Sequence, residues 1–245
     1  MQATVRAGIL KCLLDCTKEL WSSANFVFNG EGLRIRAMDS SHVALASLTL
    51  ESAAFSTFRC SEQVILGIQF DALSVILRSC AMDDLIKLEY ALNSDHLTIT
   101  RGEDRQWELK LLDSDQDDLE IPNQTYDMSA SVSTPELQRC LRDLKDLGAD
   151  TIAVTVIEHV ISFSVDGQMG RGTASMKDGV NIDGEADYKC KFSLKYFSAF
   201  VKGSALCSSV RLRIGRDTPL CVTYDIEGHG NLEFYLAPRI EDEDQ

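Results

Sequence analysis

Three groups of residues bring together side chains that could do chemistry. Asp113, Asp115 and Asp117 follow the alternating oxygen pattern that opens a calcium-binding loop. The sixth position is Asp118, where the sharp turn needs glycine, and the twelfth is Gln124, where a bidentate glutamate belongs. The same acids, from Asp113 to Asp118, could instead hold magnesium in a nuclease, a reading kept as an alternative from another class. Ser40-Ser41-His42 sets a hydroxyl beside an imidazole, yet adjacent strand residues face opposite ways and no GxSxG elbow occurs. Gly167-Gln168-Met169-Gly170-Arg171-Gly172 lacks the lysine and following helix of a phosphate-cradling loop and reads as a turn. His42, His96, His159 and His229 are far apart, and Cys12 and Cys16, one helical turn from each other, have no histidine to complete a zinc site. No nucleophile, base and orienter come together, so no catalysis, metal or cofactor is expected.

The remaining candidates are cations. A net charge of −14 rules out a protein that coats nucleic acid with its whole surface, because phosphate contact needs Lys and Arg to displace counterions. Placement matters more than the total. Four helical stretches hold eight bases (Lys11, Lys18, Arg78, Arg139, Arg142, Lys145, Lys195, Lys202) and six acids, leaving sixteen bases against thirty-two acids elsewhere. Basic charge is therefore concentrated on helices. Few aromatics interleave with it, which favours backbone contact with a duplex over stacking on single strands.

Those helices are read from apolar spacing. Residues 8–20 place Leu10, Leu13, Leu14, Thr17 and Leu20 on one face. Residues 71–80 open on Asp71 as N-cap and turn Leu73, Ile76 and Leu77 inward. Residues 135–147, capped by Ser133 or Thr134 with Pro135 in the first turn, bury Leu137, Cys140, Leu141, Leu144 and Leu147. Residues 194–202 carry Lys195 and Lys202, seven apart and so nearly aligned on one helix. Strands are expected at 25–28, 33–38, 43–50, 55–59, 64–70, 85–91, 96–100, 106–112, 126–132, 210–213, 220–226 and 231–236, with further strands between the last two helices.

The pattern restarts after an acidic, proline-bearing stretch, so the chain divides into residues 1–111, a connector at 112–125, and residues 126–245 ending in a short acidic tail. Each half has two helices and several antiparallel-type strands, an α+β arrangement in which both helices cover one sheet face. At 245 residues two such domains are a fair prior, and 44% hydrophobic content supports their cores. The eight cysteines are scattered through apolar segments and read as reduced core residues. No apolar run is long enough to span a bilayer, and the first residues lack the pattern of a secretory signal, so neither membrane insertion nor secretion is expected.

Met38-Asp39-Ser40-Ser41-His42-Val43 closely resembles the MDSSHV signature of the proliferating cell nuclear antigen family, and Phe58-Arg59-Cys60 is similar to its YRC segment. Leu119-Glu120-Ile121-Pro122, Cys140-Leu141-Arg142-Asp143-Leu144 and Tyr235-Leu236-Ala237-Pro238-Arg239-Ile240 extend the resemblance, in order, over essentially the whole chain. It implies the DNA clamp fold: two similar domains per subunit, assembling head to tail into a closed homotrimeric ring around duplex DNA, in the nucleus. Such a clamp is a scaffold and polymerase processivity factor in replication and repair, without enzymatic activity. It tethers DNA polymerases, a clamp loader and repair proteins through short glutamine-plus-aromatic motifs.

The resemblance also assigns sites. Lys11, Lys18, Arg78, Arg139, Arg142, Lys195 and Lys202 would face DNA. A partner-peptide groove would draw on Met38, His42, Val43, Leu45, Leu119, Ile121, Pro122, Pro219, Tyr235, Leu236, Ala237, Pro238 and Ile240, whose types suit an aromatic anchor. The subunit interface would pair an edge strand carrying Trp107, Leu109 and Leu111 with one carrying Thr173, Ser175 and Lys177. Cys12, Val75 and Asp146 stand where relatives often have Lys, Lys and His, and Glu158 stands at the family's modifiable lysine. Those departures, with five acids between Asp113 and Glu120, motivate an alternative: a subunit of a heterotrimeric checkpoint-type clamp or a specialised paralogue.

Overall fold

The first half of the chain runs β1 (Gln2–Arg6), α1 (Ala7–Thr17), β2 (Ser23–Asn29), β3 (Gly32–Met38), β4 (Ala44–Glu51), β5 (Thr57–Arg59), β6 (Val64–Gln69), α2 (Phe70–Arg78), β7 (Leu85–Glu89), β8 (His96–Arg101) and β9 (Arg105–Lys110). The second runs β10 (Met128–Ser133), α3 (Thr134–Lys145), β11 (Thr151–Ile157), β12 (Val160–Gly167), β13 (Gly170–Met176), β14 (Asn181–Asp183), β15 (Tyr188–Ser193), α4 (Leu194–Phe200), β16 (Ser209–Ile214), β17 (Leu220–Asp225) and β18 (Gly230–Leu236). This computed structural model describes residues 1–18, 21–113, 121, 124–177, 179–184, 187–205, 207–216, 218–227 and 229–239.

Leaving aside the short β5 and β14, the order strand, helix, three strands occurs four times. The copies interlock in pairs. β1 leads the first copy and pairs antiparallel with β7 of the second, while β6 leads the second and pairs with β2 of the first. β10 with β16, and β15 with β11, repeat the exchange. The chain accordingly falls into two units, one of Met1–Ser40, Leu45–Ile121 and Asp225–Leu232, the other of Ser41–Ala44, Pro122–Tyr224 and Glu233–Gln245. The first holds the strand orders β5-β1-β7-β8-β9 and β6-β2-β3-β4. The second holds β13-β12-β11-β15 and β14-β10-β16-β17, continued by residues 233–236 of β18.

Each helix starts directly off a strand and none has a side-chain N-cap. Instead the first helical N–H donates to a loop carbonyl of the partner copy: Ala7 to Asp84 at 2.8 Å, Phe70 to Ser22 at 2.8 Å, Thr134 to Ser208 at 2.9 Å and Leu194 to Asp150 at 3.0 Å. A backbone acceptor thus does the work that Asp71, Ser133 or Thr134 was expected to do. Asp71 lies inside the first turn of α2, where its charge suits the helix dipole. The loop approaches α1 so closely that a Cβ on Gly8 would sit 2.7 Å from the Met82 carbonyl, which is why the position is glycine.

Burial follows the periodicities. In the first unit Leu10, Leu13, Leu14, Leu73 and Leu77 of the helices and Phe26, Phe28, Ile86, Leu88 and Ile99 of the sheets are all buried. In the second, Leu137 and Leu141 are buried, Phe200 stacks on Phe234 at 4.6 Å between centroids, and Phe163 tilts on Phe197 at 5.9 Å. Each such side chain contributes about 1.5–3 kcal/mol by leaving water. Cys12, Cys16, Cys80 and Cys221 share these cores, whereas Cys60, Cys140, Cys190 and Cys207 are only half-buried, and all eight are free thiols. Among the described residues no helix is long and apolar enough to cross a membrane.

Several expected elements shift. Residues 52–54 form a 3₁₀ turn and the strand expected at 55–59 is confined to β5, because Phe55 is buried against Phe58 at 4.8 Å. The N-terminal strand β1 has no expected counterpart. Ser40-Ser41-His42 is a turn before β4, with His42 in the left-handed region at φ 56°.

Candidate functional site

In the first unit α1 packs against α2. Their apolar faces point into the sheets, and Asp15, Lys18, Asp71, Val75 and Arg78 are left exposed. Lys18 Nζ lies 3.0 Å from Asp15 Oδ1, an i,i+3 ion pair that offsets much of its charge. Lys11 is half-buried, with its Nζ donating to the Cys80 carbonyl at 2.6 Å just past the end of α2. Arg78, in the last turn of α2, is exposed and complements the dipole there. Val75 is 62% exposed, an apolar side chain among charged neighbours. Cys12, assigned by resemblance to a position often lysine, is buried and faces the core.

In the second unit α3 packs against α4 and the 3₁₀ turn Val201–Ala205 that follows it. Arg139, Arg142 and Lys145 of α3 are all exposed, and none makes an ion pair among the described residues. Spacing of three puts Arg139 beside Arg142 on the surface. Lys195 is exposed, with its Nζ 5.8 Å from the Tyr196 ring centroid. Lys202 is exposed too, but it lies in the 3₁₀ turn and not on α4. The alignment expected of Lys195 and Lys202 assumed one continuous α-helix. That helix ends at Phe200, after which the chain turns every three residues. Gln138 Nε2 holds the turn by donating to the Val201 carbonyl at 2.6 Å.

Among the described residues β9 ends one sheet of the first unit and β13 ends one sheet of the second, so each offers an unpaired backbone edge. Trp107 is half-buried in β9, Leu111 half-buried just beyond it, and Leu109 faces the core at 4% exposure. Thr173 and Ser175 of β13 and the following Lys177 are exposed.

Of the candidate groove residues, Met38 (half-buried, end of β3), Leu45 (buried, β4) and Ile121 (half-buried) belong to the first unit. His42 (exposed), Val43, Pro219, Tyr235, Ala237 and Pro238 (half-buried) belong to the second. There the Ala237 N–H donates to the Val43 carbonyl at 2.8 Å and the Arg239 N–H to the Lys191 carbonyl at 2.8 Å, which lays the segment after β18 along its neighbours. Leu236 is fully buried, so its side chain packs beneath that strip. Leu119, Pro122 and Ile240 lie outside the described residues, as do Asp115, Asp117 and Asp118. Asp113 is exposed, and no cluster of three metal-ligating side chains occurs among the described residues.

Composition did not reveal a polar network that orients Tyr235. Its hydroxyl donates to Glu233 Oε2 at 2.7 Å, Glu233 Oε1 accepts from Arg213 Nη2, and the guanidinium lies 5.1 Å from the Tyr126 ring. Arg213 Nη2 also reaches Cys221 Sγ at 3.1 Å. Burial, followed by the hydrogen bond to Glu233, pushes the Tyr235 phenol far above its usual range, so it remains a neutral donor. The i,i+2 spacing of Glu233 and Tyr235 was the available signal, since it puts both on one face of a strand.

A chain built from four interlocked copies of strand, helix and three strands, with cations displayed on its helices and a bare strand edge in each unit, has the architecture of a DNA sliding clamp. The particular family follows from comparison. Residues 2–121 match the N-terminal domain of proliferating cell nuclear antigen, and residues 120–239 match its C-terminal domain. The crystal structure of the proliferating cellular nuclear antigen from Entamoeba histolytica is similar with a TM-score of 0.91, at 28% identity, over 98% of each chain. The chain belongs to the proliferating cell nuclear antigen family. It is a DNA sliding clamp, a processivity factor of a family of scaffolds in replication and repair, and the match does not favour the checkpoint-type or paralogue alternative.

Proposed function

We propose that three copies close head to tail into a ring around duplex DNA in the nucleus, the β9 edge of each subunit pairing with the β13 edge of the next. A heterologous contact of this kind leaves no bare edge only if its rotation closes. The observation that carries the reading is that an acidic chain of net charge −14 displays Lys18, Arg78, Arg139, Arg142, Lys195 and Lys202 on helices or at their ends. Phosphates spaced about 1.7 Å apart along a duplex attract such a surface without regard to sequence, and encirclement supplies the retention, so each contact can stay weak enough for sliding. In the second unit, His42, Val43, Pro219, Tyr235, Ala237 and Pro238 offer an aromatic-seeking strip to a partner's glutamine-plus-aromatic motif. Sedimentation at micromolar concentration tests the assembly: a stable trimer is expected, and a monomer that persists there overturns the ring.

A further inference from the structure

The second unit contains a cavity of about 430 Å³ that shares only Pro238 with the sites assigned above. Among the described residues its wall includes Lys189, Arg216 and Arg239 and the carboxylate of Asp187, together with Thr218 and Pro238. Lys189 and Arg216 are exposed and make no ion pair among the described residues. Arg239 is anchored, with its Nη1 donating to Thr151 Oγ1 at 2.6 Å and its backbone N–H donating to Lys191. The Asp127 carboxylate lies beside Arg216, accepting its backbone N–H at Oδ2 at 2.8 Å, and adds a second negative charge near the wall. The Thr218 hydroxyl is buried without a hydrogen-bond partner. It fits only because residue 215 is glycine, since a Cβ there would come within 2.7 Å of Thr218 Oγ1.

An unpartnered buried hydroxyl costs free energy, and among the described residues the concave site sets three cations against Asp187 of its wall and the adjacent Asp127, a positive excess that favours an anion. Pro238 belongs both to this wall and to the proposed aromatic-seeking strip, so the cavity continues from that strip. Resting on the partner-strip reading, the geometry points to a second subsite: the cavity takes acidic side chains that flank the aromatic anchor of a client peptide. Lys189 and Arg216 meet the carboxylates and Thr218 donates a hydrogen bond. Clients with acidic flanks are thereby selected over otherwise equal ones.

A glutamine-plus-aromatic peptide serves as parent, and two further peptides carry three added glutamates at one end or the other. Exposed ion pairs of this kind add up to roughly a three- to tenfold gain in affinity for one of the extended peptides at low salt, and the gain fades as salt screens it. In a Lys189→Ala, Arg216→Ala double variant the gain disappears while the parent binds as before. Absence of a gain at either end, or a gain that survives in the double variant, overturns the subsite. Should the parent itself fail to bind, the partner-strip reading falls, and triglutamate alone then decides the subsite through the Thr218 methyl resonance. A saturable shift there supports it and an unmoved resonance overturns it. A thymidine oligonucleotide of equal charge that shifts Thr218 at lower concentration assigns these cations to nucleic acid and likewise overturns the proposal.

Discussion

The helix pair of the first unit and that of the second grow from the same strand-helix-three-strand copies, yet they use their cations differently. On α1 and α2 the cations are partly engaged within the protein: Lys18 is paired with Asp15, Lys11 ties down the Cys80 carbonyl, and Val75 occupies an exposed position between them and Arg78 in sequence. On α3 and its neighbours Arg139, Arg142, Lys145 and Lys195 are exposed and make no ion pair among the described residues. Charge engaged inside a protein releases no counterions from DNA. The comparison therefore teaches that equal helix counts do not mean equal free charge, and on the proposed DNA-facing arrangement the second unit would supply most of the attraction.

The largest expected effect follows directly. An Arg139→Ala, Arg142→Ala double variant should lower duplex affinity at low salt by on the order of tenfold and flatten the salt dependence by nearly two phosphate contacts per subunit engaged. Fluorescence anisotropy across a salt series measures both. Stability should stay within about 0.5 kcal/mol, because both side chains are exposed and make no ion pair among the described residues. An Arg78→Ala, Lys18→Ala variant that lost as much would break the comparison. The next effect sharpens it from the other side. Val75→Lys puts a new cation on a 62% exposed position of α2 and should raise duplex affinity roughly two- to threefold, with a steeper salt slope. No change in slope would mean that this face does not meet phosphate.

Which parts of this were legible in the sequence depended on range. The helices were readable because Leu10, Leu13 and Leu14, or Leu137, Leu141 and Leu144, repeat at helical spacing, and the structure buries them. The twofold restart was readable from the order of elements, but the fourfold copy was not: β1 pairs with β7 and β6 with β2 across tens of residues, and no local pattern encodes such an exchange. For the same reason the helix starts were misjudged, since the acceptors at Asp84, Ser22, Ser208 and Asp150 come from the partner copy. At the candidate site, types and family motifs marked His42, Val43 and Tyr235 to Pro238, while the Arg213–Glu233–Tyr235 network needed cross-strand neighbours to be seen. Lys202 was placed at the end of a helix read over residues 194–202, and its seven-residue spacing from Lys195 then aligned the two. Gly203 and the Tyr224 ring, which a Cβ on Gly203 would meet at 2.8 Å, bring the chain into a tighter turn there.

Lys11 gives the smallest effect on DNA and the clearest separation of roles. By position it belongs with the cations proposed to face DNA, but its ammonium donates to the carbonyl of Cys80, which follows α2 and lies 69 residues away in sequence. A charge-assisted bond to a carbonyl contributes about 1–2 kcal/mol net, more than one partly shielded phosphate contact would. Lys11→Met keeps the apolar stem and removes the donor, leaving the carbonyl without this donor. The expected result is a loss of about 1–2 kcal/mol in denaturant unfolding, with less than a twofold change in duplex affinity once folded protein is compared. Lys18→Met should do the reverse on a smaller scale, leaving stability nearly unchanged because its ion pair with Asp15 is exposed at both ends. If Lys11→Met instead cost affinity and no stability, the ammonium would leave the Cys80 carbonyl to reach DNA in the ring. The first unit would then grip as the second does.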